Sequence, residues 1–247
     1  MKKYFGSVLA FGVIGFKAWA DPVAISSVTS EPASAGSFVY EFQLKDEGKG
    51  KPISDRDLAL THTKILHLIV YDPSLNQFNH VHPEFQKNKW TTKLELKNQG
   101  RYFIWAQGKL KSGSEFSSLT RFSVKGGEPE IKPVALGDHR KNSDGATLLE
   151  MESTPIQAKN EAMINFEIRH TDNQKPELSD YLGAFAHVIA VSPNGQELIH
   201  VHPMAGSKPN SGMIHATFPT AGDYRIWIQL NDHAELKTIP LSVTVKN

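Results

Sequence analysis

Apolar and polar positions alternate over short stretches in the second half of the chain. Turn residues separate these stretches. The runs are Ala146 to Glu152, Ala162 to His170, Ala184 to Ser192, Glu197 to His202, Gly212 to Phe218, Gly222 to Leu230 and Lys237 to Lys246. They are rich in Val, Ile, Phe, Tyr and Trp, as strands are. No long window keeps the 3.6-residue period of a helix. Seven such strands in about 100 residues predict an immunoglobulin-like sandwich. The Gly-x-Tyr that enters a strand at Gly222 and Gly100, with a Trp following, sits where such folds place a tyrosine corner.

The first half repeats the second, so the expected class is all-β with two tandem sandwiches. Phe42-Gln43-Leu44-Lys45 matches Phe166-Glu167-Ile168-Arg169, and His67-Leu68-Ile69-Val70 matches His187-Val188-Ile189-Ala190. His80-Val81-His82-Pro83 returns as His200-Val201-His202-Pro203. Gly100 to Gln107 returns as Gly222 to Gln229. The spacing predicts repeat 1 over 21–125 and repeat 2 over 146–247. A linker rich in Gly, Pro and charge is expected over 126–145. His139, within it, is expected to be a solvated loop residue.

The repeated His-Val-His-Pro raises the question of where the rings point. Asn194-Gly195 is a strong hairpin signal, and a type I′ turn there makes cross-strand partners sum to 389. Val191 then faces Leu198, Ile189 faces His200 and His187 faces His202. Because side chains alternate faces along a strand, His187, His200 and His202 share one face. Ala186, Val188, Ala190, Ile199 and Val201 share the other, which should face the core. Directly opposed Cβ atoms lie about 4.5–5.5 Å apart, close enough for three imidazoles to meet on one ion. Repeat 1 keeps the thirteen-residue spacing, His67 to His80, so His67, His80 and His82 form the matching set. Its turn, Ser74-Leu75, is poorer, and a one-residue slip would scatter the rings. Ile189, Val191 and Leu198 share the histidine face, which therefore calls for a cover, either the other domain or a partner.

Three readings of that face stay open. It binds a transition metal, or it packs as a structural or interaction surface, or it is a mononuclear metal enzyme. The last has no evident general base beside it, so no catalysis is expected. Met204 follows the second motif, with Met213 and His215 on the next strand. Thioether plus imidazole suits copper, especially Cu(I). Core filling is the alternative role for both methionines. Glu84 takes the place of Met204 in repeat 1, where carboxylate plus imidazole would suit zinc or Cu(II). His62, His170 and His233 have no counterpart in the other repeat and are expected to be incidental. No nucleophile elbow, phosphate loop, dinucleotide fingerprint or His-Glu-x-x-His occurs.

Composition narrows the setting. Lys2 and Lys3, the apolar stretch Val8 to Phe16, and Ala18-Trp19-Ala20 read as a cleaved signal peptide over 1–20. Its loss takes Lys2, Lys3 and Lys17, so 27 basic residues fall to 24 against 26 acidic ones. A net charge near −2 gives no reason to expect nucleic acid or an anionic membrane as partner. No membrane insertion is expected after cleavage. The chain has no cysteine, so disulfides and a cysteine-linked lipid anchor are excluded.

Two segments carry a family resemblance. "AGDYRIWIQLNDHAELKTIPLSVTV", Ala221 to Val245, resembles the C-terminal half of YtkA-like domains. "LGAFAHVIAVSPNGQELIHVHPM", Leu182 to Met204, is similar to their upstream hairpin. Repeat 1 matches less closely, lacking the Gly-Ala before its first His and the Met after its Pro. The resemblance implies a secreted or membrane-attached immunoglobulin-like sandwich linked by context to copper handling. It implies His187, His200, His202 and Met204 as ligands, with His67, His80 and His82 second. Residues and resemblance together lead to the expectation of a periplasmic or secreted protein that buffers or delivers copper first, zinc second. The alternative is a non-metal envelope adaptor whose histidine face contacts another envelope protein.

Overall fold

The structure is a computed structural model that describes residues 23–247 apart from 62, 130, 131 and 193. The segment read as a signal peptide, and His62, lie outside the described residues. Each half folds as a sandwich of two sheets. In repeat 1 one sheet runs Val23–Ser27, Gly36–Asp46, Lys89–Leu96, Glu84–Gln86. The other runs Ala33–Ser34, Glu115–Lys125, Gly100–Leu110, Leu66–Tyr71, Phe78–Val81. Repeat 2 follows the same plan. Lys141–Asp144, Thr147–Met151, Glu161–His170, Ser211–Thr217 and Met204–Ala205 form one sheet. Ile156–Gln157, Glu235–Lys246, Gly222–Asp232, His187–Val191 and Leu198–Val201 form the other.

All seven strands expected in repeat 2 form, because alternation marks each inward face. Glu161–His170 shows this: Ala162, Ile164, Phe166 and Ile168 are buried while Glu161, Met163 and Asn165 are exposed. The strand Lys141–Asp144 lies within the stretch expected to be linker. It pairs with Thr147–Met151 around Gly145, whose φ of +60° suits a tight turn without a Cβ. The rest of that stretch is strapped down. Glu128 N–H donates to Lys97 O, Val134 N–H donates to Ser74 O, and Ser242 N–H donates to His139 O. His139 itself is exposed.

The tyrosine corners are present in both halves. Tyr102 Oη donates to Asn98 O and Tyr224 Oη donates to Thr220 O, each at 3.1 Å. The tryptophans that follow them do not enter the sandwich cores. Trp105 and Trp227 belong to a third apolar cluster with Ile69, Tyr71, Leu75, Ile189, Val191 and Leu198. That cluster draws on both repeats, so it is the joint between them. Phe78 stacks on Trp227 at 4.6 Å, and Tyr71 Oη donates to Gly195 O at 3.1 Å. Thr63 Oγ1 donates to Leu182 O at 2.9 Å on the same joint.

This joint explains why Leu66–Tyr71 and His187–Val191 are buried along their whole length. One face of each strand packs into its own sandwich. The other packs against the opposite repeat. The cover required by Ile189, Val191 and Leu198 is therefore the first repeat.

Candidate metal centre

The histidine hairpins have the expected register. Ile189 pairs with His200 and Val191 with Leu198 in repeat 2. Ile69 pairs with His80 and Leu68 with Val81 in repeat 1. Ala186, Val188, Ala190, Ile199 and Val201 face the repeat 2 core. The turn is not the two-residue type I′ expected. Ser192 N–H donates to Glu197 O and Gly195 N–H donates to Ser192 O, enclosing a four-residue loop. Gly195 is left-handed, with φ +67°. Asn194 instead accepts from Ser192 Oγ and Gln196 N–H. The longer loop has the same midpoint as the shorter turn, so the register is unchanged. Repeat 1 builds its loop with a different residue. The buried Asp72 carboxylate accepts from Ser74 Oγ and from the N–H groups of Asn76 and Gln77.

Three rings converge in each repeat. His67 Nδ1 lies 3.1 Å from His80 Nε2 and 3.2 Å from His82 Nε2. His187 Nδ1 lies 3.3 Å from His200 Nε2 and 2.8 Å from His202 Nε2. An ion 2.0–2.1 Å from two nitrogens in tetrahedral geometry holds them roughly 3.3 Å apart. The spacing therefore fits a shared ion.

The outer nitrogens decide what the inner ones carry. His67 Nε2 faces Thr61 O at 3.4 Å and His187 Nε2 faces Tyr181 O at 3.0 Å. A carbonyl oxygen only accepts, so those nitrogens hold the proton and each Nδ1 is a lone pair. His80 Nδ1 donates to Gln229 Oε1 at 3.0 Å, and His200 Nδ1 donates to Gln107 Oε1 at 3.2 Å. Gln229 Nε2 donates in turn to Thr238 Oγ1, and Gln107 Nε2 to Ser117 Oγ. His80 Nε2 and His200 Nε2 are then lone pairs as well. In each repeat two imidazole lone pairs face one another within 3.3 Å. The Nδ1 lone pair of His67 or His187 is answered either by an N–H on His82 Nε2 or His202 Nε2, at 3.2 Å and 2.8 Å, or by a cation that all three nitrogens share.

Protonation is opposed by the surroundings. Burial, then the neighbouring imidazoles, hold His80 and His200 well below the ordinary histidine range. Burial and the nearby His67 and Lys64 push His82 down to about 3. The neutral nitrogens form a donor set that could hold a metal cation, with the outer N–H groups of His67, His80, His187 and His200 each facing an oxygen, as ligating histidines require.

The two triads are not separate sites. His80 lies 5.1 Å from His200 and 5.3 Å from His187, ring centre to ring centre, and His67 lies 5.1 Å from His200. Ligand atoms of His67, His80 and His82 converge, and so do those of His80, His187 and His200, which mix the repeats. These two sets hold imidazoles alone, whereas a third convergent set, His170, Asp232 and His233, includes a carboxylate.

Met204 does not join them. After Pro203 the chain crosses to the opposite sheet, where Met204 pairs with Met213 at the edge and is half exposed. Glu84 is likewise exposed on the opposite sheet of repeat 1, hydrogen-bonded to Gln86. It shares with His82 the lining of a shallow surface cleft, a route from solvent to that ring. His215 meets Glu161 at 3.0 Å on the outer face. His170 and His233 are not incidental to the fold: His170 Nε2 donates to the buried Asp232 at 2.6 Å, and His233 lies beside it. Gln107 and Gln229 were missed in the sequence. Their signal was a glutamine at the same place after an apolar run in both strands, "IWAQ" and "IWIQ".

A family model described as a domain of unknown function, DUF8832, matches residues 23–125 and again 141–247. The chain belongs to that family. No curated protein matches it. Among solved structures it is similar to a tetra-tandem repeat from the extending region of a large adhesion protein. The identity is 10%, the TM-score 0.30, and the match covers 92% of this chain and 50% of that one. The Escherichia coli adhesin FdeC is 15% identical, with a TM-score of 0.29, over 92% of this chain and 65% of that one. The fibronectin(III)-like modules of Clostridium thermocellum CbhA are 12% identical, with a TM-score of 0.22, over 90% and 93%. The chain thus spans about half to two thirds of the length of those two adhesin chains as solved. Scores this low leave function to be argued from the site.

Proposed function

We propose that the protein binds transition-metal ions at its two histidine triads, one ion in each, and buffers or delivers them without catalysis. The observation that carries this reading is the convergence of three ring nitrogens in each triad, 2.8–3.3 Å from the central His67 or His187 Nδ1. Copper is the first choice and zinc the second, now on grounds of charge rather than of Met204. A cation among neutral, buried imidazoles keeps its full charge, and the cost of burying charge rises with its square. Cu(I) therefore suits an all-imidazole site better than a divalent ion. The likeness of Leu182 to Met204 to YtkA-like hairpins supports copper as well. The compartment proposed is the periplasm or the exterior, from the signal-like residues 1–20. Among the described residues no helix is long and apolar enough to cross a membrane.

The test is titration of the purified chain with Cu(I) and Zn(II). Two ions per chain are expected. His67→Ala/His82→Ala and His200→Ala/His202→Ala should each leave one, and the four changes together none. If neither metal binds with a dissociation constant below about 1 μM, a free energy of roughly −8 kcal/mol, the reading fails.

A second reading has an observation of its own. His67, His80 and His187 are buried where the repeats meet, as the packing role of an adaptor module requires. It predicts that the same variants lose stability, or lose capture of another envelope protein, while metal content stays at zero throughout.

A further inference from the structure

Gln107 and Gln229 each reach across the joint. Gln229 stands on repeat 2, directly opposite His187 on the adjacent strand, yet its amide oxygen accepts from His80 of repeat 1. Gln107 stands on repeat 1, opposite His67, yet accepts from His200 of repeat 2. Each amide is held from behind by a hydroxyl of its own repeat, Thr238 or Ser117. We infer that the two triads form one crossed dinuclear centre, in which the glutamine of each repeat is the positioning residue for the metal site of the other.

The physical reason lies in the tautomer. An imidazole carries one proton, and the oxygen that accepts it selects which nitrogen is left to bind metal. Without Gln229, the proton of His80 is free to move to Nε2, where it would point at His67 Nδ1 and close the site. The ring also loses the bond that fixes its rotation. The same holds for Gln107 and His200. Affinity at either triad thus depends on the opposite repeat being docked, and the sites are linked through the crossed glutamines as well as through His80, which lies in both convergent sets. An ion in one triad orders the joint and thereby improves the other. This deepens the reading of the triads as metal sites and rests on it.

The prediction has a crossed pattern that simple packing would not produce. In a chain reduced to the first triad by His187→Ala/His202→Ala, Gln229→Leu should weaken Cu(I) or Zn(II) binding by about 10–100-fold. In a chain reduced to the second triad by His67→Ala/His82→Ala, the same change should move affinity by less than about threefold. Gln107→Leu should show the reverse pattern. Gln229→Glu keeps an acceptor oxygen at the site and should restore binding in the first background, which guards against a variant that merely misfolds. The inference is overturned if each substitution weakens the triad of its own repeat, if both triads weaken alike, or if neither changes while the unmodified chain binds two ions. An unmodified chain that binds no ion would remove the metal reading itself as well.

Discussion

The two hairpins share their histidines and differ in nearly everything that touches the opposite repeat. Repeat 1 presents Tyr71, Phe78 and Phe103, where repeat 2 presents Val191, Leu198 and Arg225. Tyr71 stacks with Phe103, and Phe78 lies on Trp227. Arg225, nine-tenths buried, sits over the same indole. The loop tips differ too. Leu75 takes the left-handed conformation in repeat 1 that Gly195 takes in repeat 2. A Cβ on Gly195 would stand 2.9 Å from the Phe103 ring, so only glycine lets that aromatic lie against the loop. The lesson is that the positions kept equal are those around the histidine cluster: His, Trp and Gln. The positions that diverged make the joint one-sided, with Tyr71, Phe78 and Phe103 in repeat 1 where repeat 2 has Val191, Leu198 and Arg225. Such a joint favours docking between unlike halves over pairing of like ones.

That contrast can be broken in order of effect. Acidification of the metal-free chain should act most strongly, because several rings respond together. His80, His82 and His200 are neutral in the fold and held below the ordinary value of 6.5, by burial first and by neighbouring imidazoles next. The unfolded chain takes up protons near pH 6.5 that the fold refuses. Stability from this source is therefore complete above about pH 6.5 and falls as pH falls, for His82 until about 3. Urea denaturation from pH 8 to pH 5 should show the midpoint dropping below 6.5. A flat profile would mean the rings are already charged or solvated.

Trp227→Ala comes next. It removes a buried indole that both Phe78 and Arg225 contact, and should cost about 3–5 kcal/mol by the same measurement. If repeat 2 unfolds alone at its usual midpoint, the joint does not hold the halves together. Tyr71→Phe should cost about 1–3 kcal/mol. It leaves Trp105 Nε1 without the hydroxyl it now meets at 2.8 Å, and Gly195 O without its donor.

Gly195→Ala and Leu75→Gly sharpen the comparison of the two tips. The first forces a Cβ onto Phe103 and should cost about 1–3 kcal/mol. The second relieves a left-handed residue, a gain of roughly 1–2 kcal/mol, but gives up a buried leucine worth about 1.5–3. Its net effect should be the smallest, within about 1 kcal/mol of zero. A large loss there would show that Leu75 is an anchor of the joint and not merely a tolerated tip.

Strand alternation and the repeated motif made the sandwiches and the grouping of rings legible in the sequence. The register in particular followed from symmetry about Asn194-Gly195, which a two-residue turn and a four-residue loop share. What stayed hidden depended on contacts between distant segments. Nothing local in "VHPM" shows that the chain leaves the sheet after Pro203 and carries Met204 away. Nothing local shows Gln229 turning from its neighbour His187 to His80. The apolar residues of the histidine face announced that a cover was needed, and only the folded chain showed the first repeat as that cover.

The strap between the repeats has one further consequence. Val134 N–H is tied to Ser74 O, and Leu136 packs against the joint, so the connection is short and partly fixed. Two bodies tethered this closely meet at an effective concentration in the millimolar range or above. If the halves part, they need not search for one another before they close again.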